Sequence, residues 1–125
     1  VEAAEQALAV AETESHLASV RSVDYYPGDE GYHVIIGEDS GGEAIIVWVQ
    51  GDDVWEEQLS DGVTRKHILA KLPEAEIRRI MPGMITTSEG EKQPIWDVYY
   101  VTDEGKVRYA YFDFFTGETI KTIPL

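Results

Sequence analysis

The three histidines of the chain are the residues with the widest range of possible chemistry, and they lie far apart in the sequence. They are His16, His33 and His67, and no H-x-x-x-H or similar cluster surrounds any of them. A zinc site requires several ligands at close spacing. The sequence therefore predicts no metal site at these histidines.

Nucleophilic catalysis and calcium binding lack their sequence signals as well. None of the six serines lies in a G-x-S-x-G elbow, and the chain contains no cysteine. Asp39 and Asp103 each begin an Asp-x-Gly sequence, but the D-x-D-x-D-G spacing of an EF-hand loop is absent. Aspartate near glycine is typical of tight turns, because its carboxylate bonds neighbouring amides. We therefore expect no enzyme activity and no cofactor.

The net negative charge of the chain arises entirely in its first half. Residues 1–61 contain 15 acids against Arg21 alone, whereas residues 62–125 contain 9 acids and 9 bases, so the net charge of −14 belongs to the first half. Such a surface repels nucleic acid and anionic lipid headgroups. A basic partner, bound cations and simple solubility remain open. The densest cluster, Asp52-Asp53 with Glu56-Glu57, indicates a solvated face in preference to a cation site.

Aromatic side chains crowd onto the segments that alternate as strands. Burial in a core is their main interpretation, and a surface patch for a protein partner is the alternative. For that alternative the sequence suggests six contact residues from the aromatic and acidic segments. They are Trp48, Trp55, Glu56, Glu57, Tyr99 and Tyr111.

An internal repeat organises these segments. Tyr32 and Trp96 stand 64 positions apart, as do Asp39 and Asp103, and after the extra Gly42 the offset falls to 63, which matches Trp48 with Tyr111. A long period over two copies indicates a duplicated unit. We expect two units, residues 1–61 and 62–125, and because a unit of about 60 residues is marginal alone, we expect them to share an interface.

Each half shows a helical segment followed by strands, which predicts an α+β fold. Residues 2–19 and 65–72 favour helices, the second capped by Thr64. Alternation and turn residues predict a three- to four-stranded antiparallel meander in each half. The predicted strands are 21–26, 32–37, 43–50, 54–59, 76–85, 95–102, 106–115 and 118–123, with a bulge or sheet edge at Pro82-Gly83.

The segment around Asp113 carries the most specific local signal. In Tyr111-Phe-Asp-Phe-Phe-Thr-Gly117-Glu, an aspartate ending a strand can accept amide hydrogens from the turn that follows. With the preceding helix and Asp-x-Gly hairpin, this segment resembles the PepSY-type unit. Two such units after a helix, with Tyr32-His-Val-Ile and Ile46-Val-Trp48-Val, resemble the TseB-like (YpmB) family of Firmicutes. Gln50 stands where the motif prefers aspartate.

The resemblance implies a fold and a role. Its fold is a pair of tandem cystatin-like (PepSY-like) units, each one helix packed on a sheet. Its role is non-catalytic regulation of cell-wall elongation through a penicillin-binding protein, by an extracytoplasmic domain of a single-pass membrane protein. We expect the N-terminal helix to be a stalk leaving an anchor upstream of residue 1. The cellular location that the resemblance implies is the outer face of the cytoplasmic membrane.

Two other functions remain open. A PepSY-type peptidase inhibitor or chaperone-like module would present a flexible apolar loop, for which Met81-Pro-Gly-Met84 is the candidate. A small-ligand-binding cystatin-like domain would need polar groups converging inside an apolar pocket. Asp97, between Trp96 and Val98, is the inward-facing acid for such a pocket.

Overall fold

Two four-stranded antiparallel sheets make up most of the computed structural model, which describes residues 2–125 and the side chains from Ala3 onward. The chain divides into two compact units at the boundary between Asp61 and Gly62. The predicted α+β class and antiparallel sheets are confirmed. Each unit is described by itself below.

In unit 1, which ends at Asp61, four strands pair in sequence order after one helix. A 3-10 turn, Leu59–Asp61, closes the unit. The helix and strands are α1 (Glu2–Glu14), β1 (Ser19–Tyr26), β2 (Tyr32–Glu38), β3 (Ala44–Gln50) and β4 (Asp53–Gln58).

In unit 2, Gly62–Leu125, the order of elements is the same, and the helix is much shorter. The elements are α2 (Arg65–Leu69), β5 (Glu76–Thr86), β6 (Lys92–Val101), β7 (Val107–Asp113) and β8 (Thr119–Pro124).

The core of unit 1 lies between α1 and one side of the central strand β3. Ala7 and Ala11 bury their methyl groups in the same cluster as Ile45, Val47 and Val49. Alternate residues of a strand face opposite sides of the sheet. The three aliphatic side chains of β3 therefore share the side that faces α1, and burying each contributes about 1.5–3 kcal/mol.

The other side of β3 is buried too. Ile46 and Trp48 are both 0% exposed. Trp48 is therefore a core residue, which corrects its place among the predicted contact residues. The sequence could not distinguish these cases, because β3 is a continuous apolar run, which is typical of a strand buried on both faces but does not show whether the second face is covered.

The N-terminal helix is shorter than predicted. Its sequence favours a helix to residue 19, but α1 ends at Glu14. The Ser15 Oγ accepts a hydrogen bond from the Leu17 amide, and the Ala18 amide donates to the Glu38 carbonyl at the start of the sheet. Helix propensity amounts to tenths of a kcal/mol per residue, so sheet pairing overrides it here.

The second helix is also shorter than the predicted 65–72. Thr64 is its N-cap as expected, with Oγ1 accepting from the His67 amide at 3.1 Å. Beyond Leu69 the Lys71 and Leu72 amides bond to carbonyls three residues back, which is the tighter 3-10 pattern.

The registers of the two central hairpins are identical, at a constant offset of 63. Glu38 pairs with Ala44, and Val101 pairs with Val107; at the far end His33 pairs with Val49 as Trp96 pairs with Phe112. Trp48 and Tyr111 are thus equivalent, as predicted. The predicted offset of 64 for the first strand is wrong, because the hairpin turns have equal length and Gly42 is not an insertion.

Turn chemistry explains the error. The Asp39 amide donates to the Glu43 carbonyl and the Thr102 amide to the Lys106 carbonyl. Asp39 Oδ1 also accepts from the Glu43 amide at 2.9 Å, and Thr102 Oγ1 accepts from the Lys106 amide at 3.0 Å. Thr102, rather than Asp103, therefore holds the position of Asp39. A threonine hydroxyl replaces the carboxylate.

The first strand of each unit carries a bulge at the same point. The register shifts between Val20 and Ser22 in β1, and between Ile77 and Arg79 in β5. Val20 pairs with Gly37 and Ile77 pairs with Tyr100. The two partners, Gly37 in β2 and Tyr100 in β6, are again 63 residues apart. Pro82 lies in an edge strand, as predicted, while the bulge lies at Arg78, four residues before it.

The predicted inhibitor loop is part of the sheet. Met81, Pro82, Gly83 and Met84 belong to β5 and pair with β6, and Met84 is 2% exposed. A paired strand cannot enter a protease cleft as a flexible loop. This segment therefore does not support the inhibitor hypothesis.

Asp113 fixes the return from β7 into β8 as predicted. Its Oδ1 accepts from the amides of Phe115 at 2.7 Å and Thr116 at 3.0 Å, and its Oδ2 accepts from Gln93 Nε2 at 3.0 Å. The turn ends at Gly117, whose φ of +78° suits glycine. In unit 1 the equivalent residue, Gln50, opens a shorter turn that pairs it directly with Asp53.

Replacing Asp113 with Ala should lower the free energy of unfolding by about 1–3 kcal/mol, because three donors lose their acceptor. The matched control is Asp103→Ala, since Asp103 is exposed and its neighbour Thr102 makes the turn bonds. That change should stay within about 0.5 kcal/mol of the parent. Urea unfolding of both variants measures the difference, and equal losses would contradict the assigned role of Asp113.

Candidate functional site

The structure separates the predicted contact residues into a group in each unit. Trp48, Trp55 and Glu57 share one side of the sheet in unit 1, since Trp48 pairs with Trp55 and Ile46 with Glu57. Glu56 points to the opposite side. Tyr99 and Tyr111 lie together on one side of the sheet in unit 2.

The strand β4 carries three of the candidates and is only partly buried. Trp55 packs edge-on against Tyr32, with ring centroids 5.8 Å apart and an interplanar angle of 71°. Such edge-to-face pairs contribute about 0.5–1.5 kcal/mol beyond area burial. Trp55 therefore packs against the sheet, although it belongs to an edge strand.

Glu56 is held by the segment that follows α1. Its Oε1 accepts from the His16 backbone amide at 3.0 Å and lies 3.1 Å from His16 Nδ1. The His16 side chain is 81% exposed, against 25% for Glu56. The backbone bond fixes the carboxylate beside β4, while the exposed imidazole adds a solvent-screened interaction.

Glu57 sits in an unfavourable environment for a negative charge. Burial raises the pKa of its carboxyl above the ordinary 4.5, and the carboxylates of Asp61 and Glu56 raise it further. Both causes disfavour the ionised form. The edge strand thus presents crowded negative charge, which a nearby cation would relieve.

The tyrosine face of unit 2 is built across two strands. Tyr99 stacks on its cross-strand neighbour Tyr109, with centroids 4.8 Å apart and planes 18° from parallel. Tyr111 pairs in register with Asp97 on the same face. All three tyrosines are half-buried, so each retains some exposed surface.

Asp97 is buried, as its position between Trp96 and Val98 predicted. It is 5% exposed, and the buried residues of the described chain include no other charged side chain. Tyr109 and His16 were not among the predicted contact residues. Cross-strand register would have found Tyr109, whereas no sequence signal places His16 beside Glu56, 40 residues away.

The concavities of the two units are poorly suited to a small ligand. A cleft of about 230 Å³ in unit 2 is lined by Lys71, Pro73, Tyr100 and Asp103 among others, which is below the common range of 300–1,000 Å³. A larger concavity of about 550 Å³ in unit 1 is lined by exposed side chains such as Thr13, Glu14 and Asp52. Asp97 lines neither.

Residues 2–125 contain neither a metal-binding cluster nor a membrane-spanning helix. Within that range no group of three or more His, Asp or Glu side chains is arranged to hold a metal ion. No helix in the described part of the chain has both the length and the apolarity needed to cross a membrane.

Comparisons with known proteins agree with this architecture. The family model for the cell wall elongation regulator TseB-like domain matches residues 6–50. The probable cell wall elongation regulator TseB of Bacillus subtilis (strain 168) is 30% identical over 122 residues, covering 95% of this chain and 75% of that protein. The solved YpmB protein from Bacillus subtilis is similar over 100% of this chain and 99% of its own, with a TM-score of 0.85 and 29% identity.

Replacing Glu57 with Gln should raise the melting temperature at pH 7. Because its pKa is higher in the folded state, the native chain binds more protons between the two pKa values, and stability falls as pH rises through that window. Gln removes this cost. The advantage should disappear below about pH 4, where the parent carboxyl is protonated in both states.

Glu43→Gln is the control, since Glu43 lies in an exposed hairpin turn of the same unit and carries the same charge. It accounts for the general relief of negative charge. Thermal unfolding followed from pH 3.5 to pH 8 measures both variants. A Glu57→Gln curve that coincides with the Glu43→Gln curve at every pH would contradict the local origin of the effect.

Proposed function

Because the chain belongs to the TseB-like family of cell wall elongation regulators, we propose that it regulates cell-wall elongation as a non-catalytic protein-interaction domain. The observation that carries the proposal is the 30% identity over 122 residues, which extends across both units. The family resemblance drawn from the strand and turn motifs is thereby confirmed.

We propose that the two units are tandem cystatin-like (PepSY-like) repeats. The support is the shared strand order, the constant offset of 63 in the hairpins and the equivalent bulges in β1 and β5. A helix packed on each sheet is part of this proposal. In unit 1, α1 covers the sheet, and in unit 2 the five-residue α2 contributes the buried Ile68.

The partner that we propose is a penicillin-binding protein, on the outer face of the cytoplasmic membrane. In this arrangement α1 is the stalk, and a single membrane-spanning anchor precedes residue 1. The anchor proposal has a simple test in the native gene, which should encode an apolar stretch of about 20 residues upstream. A gene without such a stretch would contradict the tethered arrangement.

Two surfaces are available for the partner. The acidic surface consists of Trp55, Glu56 and Glu57 on β4. The tyrosine surface consists of Tyr99, Tyr109 and Tyr111. The acidic surface suits a basic partner, because its charge favours encounter with a cationic surface. The tyrosine surface suits an apolar contact, since tyrosine is enriched in interface hot spots.

Salt and substitution distinguish these surfaces. With the anchored protein in membranes, binding led by the acidic surface should weaken as salt rises and weaken further with Glu56→Gln and Glu57→Gln together. Binding led by the tyrosine surface should be nearly independent of salt, and Tyr99→Ala should cost about 2 kcal/mol. Affinity for the purified penicillin-binding protein, measured across a salt titration, provides the comparison.

Controls come from unit 1. Glu43→Gln removes a charge from an exposed turn, and Tyr25→Ala removes a tyrosine that is 57% exposed on β1. Neither should change affinity. If no variant of either surface does so, the contact lies elsewhere, and the helices become the next candidates. If the parent chain does not bind, the proposed partner is wrong.

A further inference from the structure

The outer strand β4 differs from the other sheet edges. Strands β1, β4, β5 and β8 are the edges of the two sheets. The pairing of β1, β5 and β8 with their neighbours contains register shifts, whereas β3 and β4 pair regularly over their whole length. Bulges disrupt an edge as a template for another strand. Of the described edges, β4 alone lacks this irregularity.

The composition of β4 also makes it more suitable for strand addition than the other edges. The other edges carry basic residues or prolines, both of which discourage strand addition. They are Arg21 in β1, Arg78, Arg79 and Pro82 in β5, and Lys121 and Pro124 in β8. In β4 the sequence Asp-Val-Trp-Glu-Glu-Gln contains neither. Its charges are all negative, and its backbone is regular.

Hydrogen bonds identify the backbone groups that face outward from β4. The Asp39 amide bonds to the Glu43 carbonyl, so alternation directs the backbone of Val47 and Val49 toward β2. The alternate residues of β3, such as Trp48, therefore bond to β4, where their partners are Trp55 and the residues two positions before and after it. Val54, Glu56 and Gln58 therefore turn their N–H and C=O groups outward, and no described strand pairs with that side.

The side chains beside this edge are acidic on both faces of the sheet. Asp53 and Glu57 lie on one face and Glu56 on the other. A second copy of β4 at this edge would bring like charges together, which destabilises a strand pair. A segment with lysine or arginine on both faces would instead place opposite charges side by side.

We propose that the β4 edge binds an extended, basic segment of a partner protein, which adds to the sheet of unit 1 as a fifth strand. The proposal rests on the proposed function of the chain as a protein-interaction domain and specifies the contact. Main-chain hydrogen bonds to Val54, Glu56 and Gln58 give affinity, and the acids select for positive charge. Six residues span about 20 Å of strand.

The raised pKa of Glu57 is consistent with this arrangement. Burial raises this pKa most, and the carboxylates of Asp61 and Glu56, which crowd the Glu57 carboxylate, raise it further in the free chain. A lysine or arginine opposite Glu57 would relieve this crowding, since an opposite charge within about 4–6 Å favours the ionised form. The edge thus gains an electrostatic interaction where the free chain has repulsion.

A designed peptide tests the edge directly. The probe is an eight-residue peptide in which pairs of lysines alternate with pairs of threonines, so that lysines lie on both faces of the strand. It is titrated into the 125-residue chain at low salt. Hydrogen exchange should slow at least tenfold at the Val54, Glu56 and Gln58 amides and remain unchanged in β8, the control edge. Affinity should fall at least tenfold when glutamate replaces the lysines, or when salt rises from about 50 mM to about 500 mM.

Backbone methylation separates strand addition from simple charge attraction. Two forms of the peptide are compared, each N-methylated at one of the two alternating sets of amides. Only one of these sets donates hydrogen bonds to β4, and the charge of the two forms is the same. One methylated form should lose at least tenfold in affinity and the other should not. Equal binding by both forms would overturn strand addition, and no slowing of exchange at the three amides would overturn the edge as a site.

A variant of the chain provides an independent result. Val54→Pro removes an outward N–H without breaking the bonds to β3, and Val54→Ala controls for the packing of the side chain. Only the proline variant should lose peptide binding. If Val54→Pro still binds the penicillin-binding protein as the parent does, the edge proposal fails and the proposed function stands. If the parent binds the peptide but no penicillin-binding protein, the edge survives and the proposed partner fails.

Discussion

The register of the central hairpins is the constraint on which the rest of the structure depends. A slip of one residue would exchange the two faces of each strand. Asp39 in unit 1 and Thr102 in unit 2 prevent it, because each closes its turn through the backbone and again through a side-chain oxygen. In unit 1 this register directs Val47 toward α1 and Trp48 to the opposite face, and both are fully buried.

The same backbone frame supports different surfaces in the two units. At the offset of 63, Val34 corresponds to Asp97, Ile36 to Tyr99 and Ile46 to Tyr109. At these three positions the side chains are aliphatic in unit 1, whereas unit 2 has two tyrosines and a buried acid. Burying a carboxyl costs free energy that burying valine does not. The two units therefore share a register, while the second uses this face for polar and aromatic groups.

The sequence predicted the features that depend on local chemistry. Alternation located all eight strands, and Asp113 was recognised as a turn residue because its amide donors follow directly in sequence. Features that depend on distant contacts were less accurate. The end of α1 is set by pairing of Ala18 with Glu38, and the burial of Trp48 requires both faces of β3 to be covered. The offset was misjudged because the shared Asp-x-Gly letters hide the equivalence of Asp39 with Thr102.

The candidate contact residues show the same limit, since their types were recognisable but their grouping required the register. Glu56 and Glu57 are adjacent in sequence, yet they lie on opposite faces of β4, and only together do they surround the edge with negative charge. That arrangement gives specificity by repulsion as well as attraction. The charge that keeps copies of β4 apart also attracts a cationic strand. The acidic half of the chain and the regular edge strand β4 are therefore connected, because negative charge along an otherwise unprotected edge discourages pairing between copies of that edge.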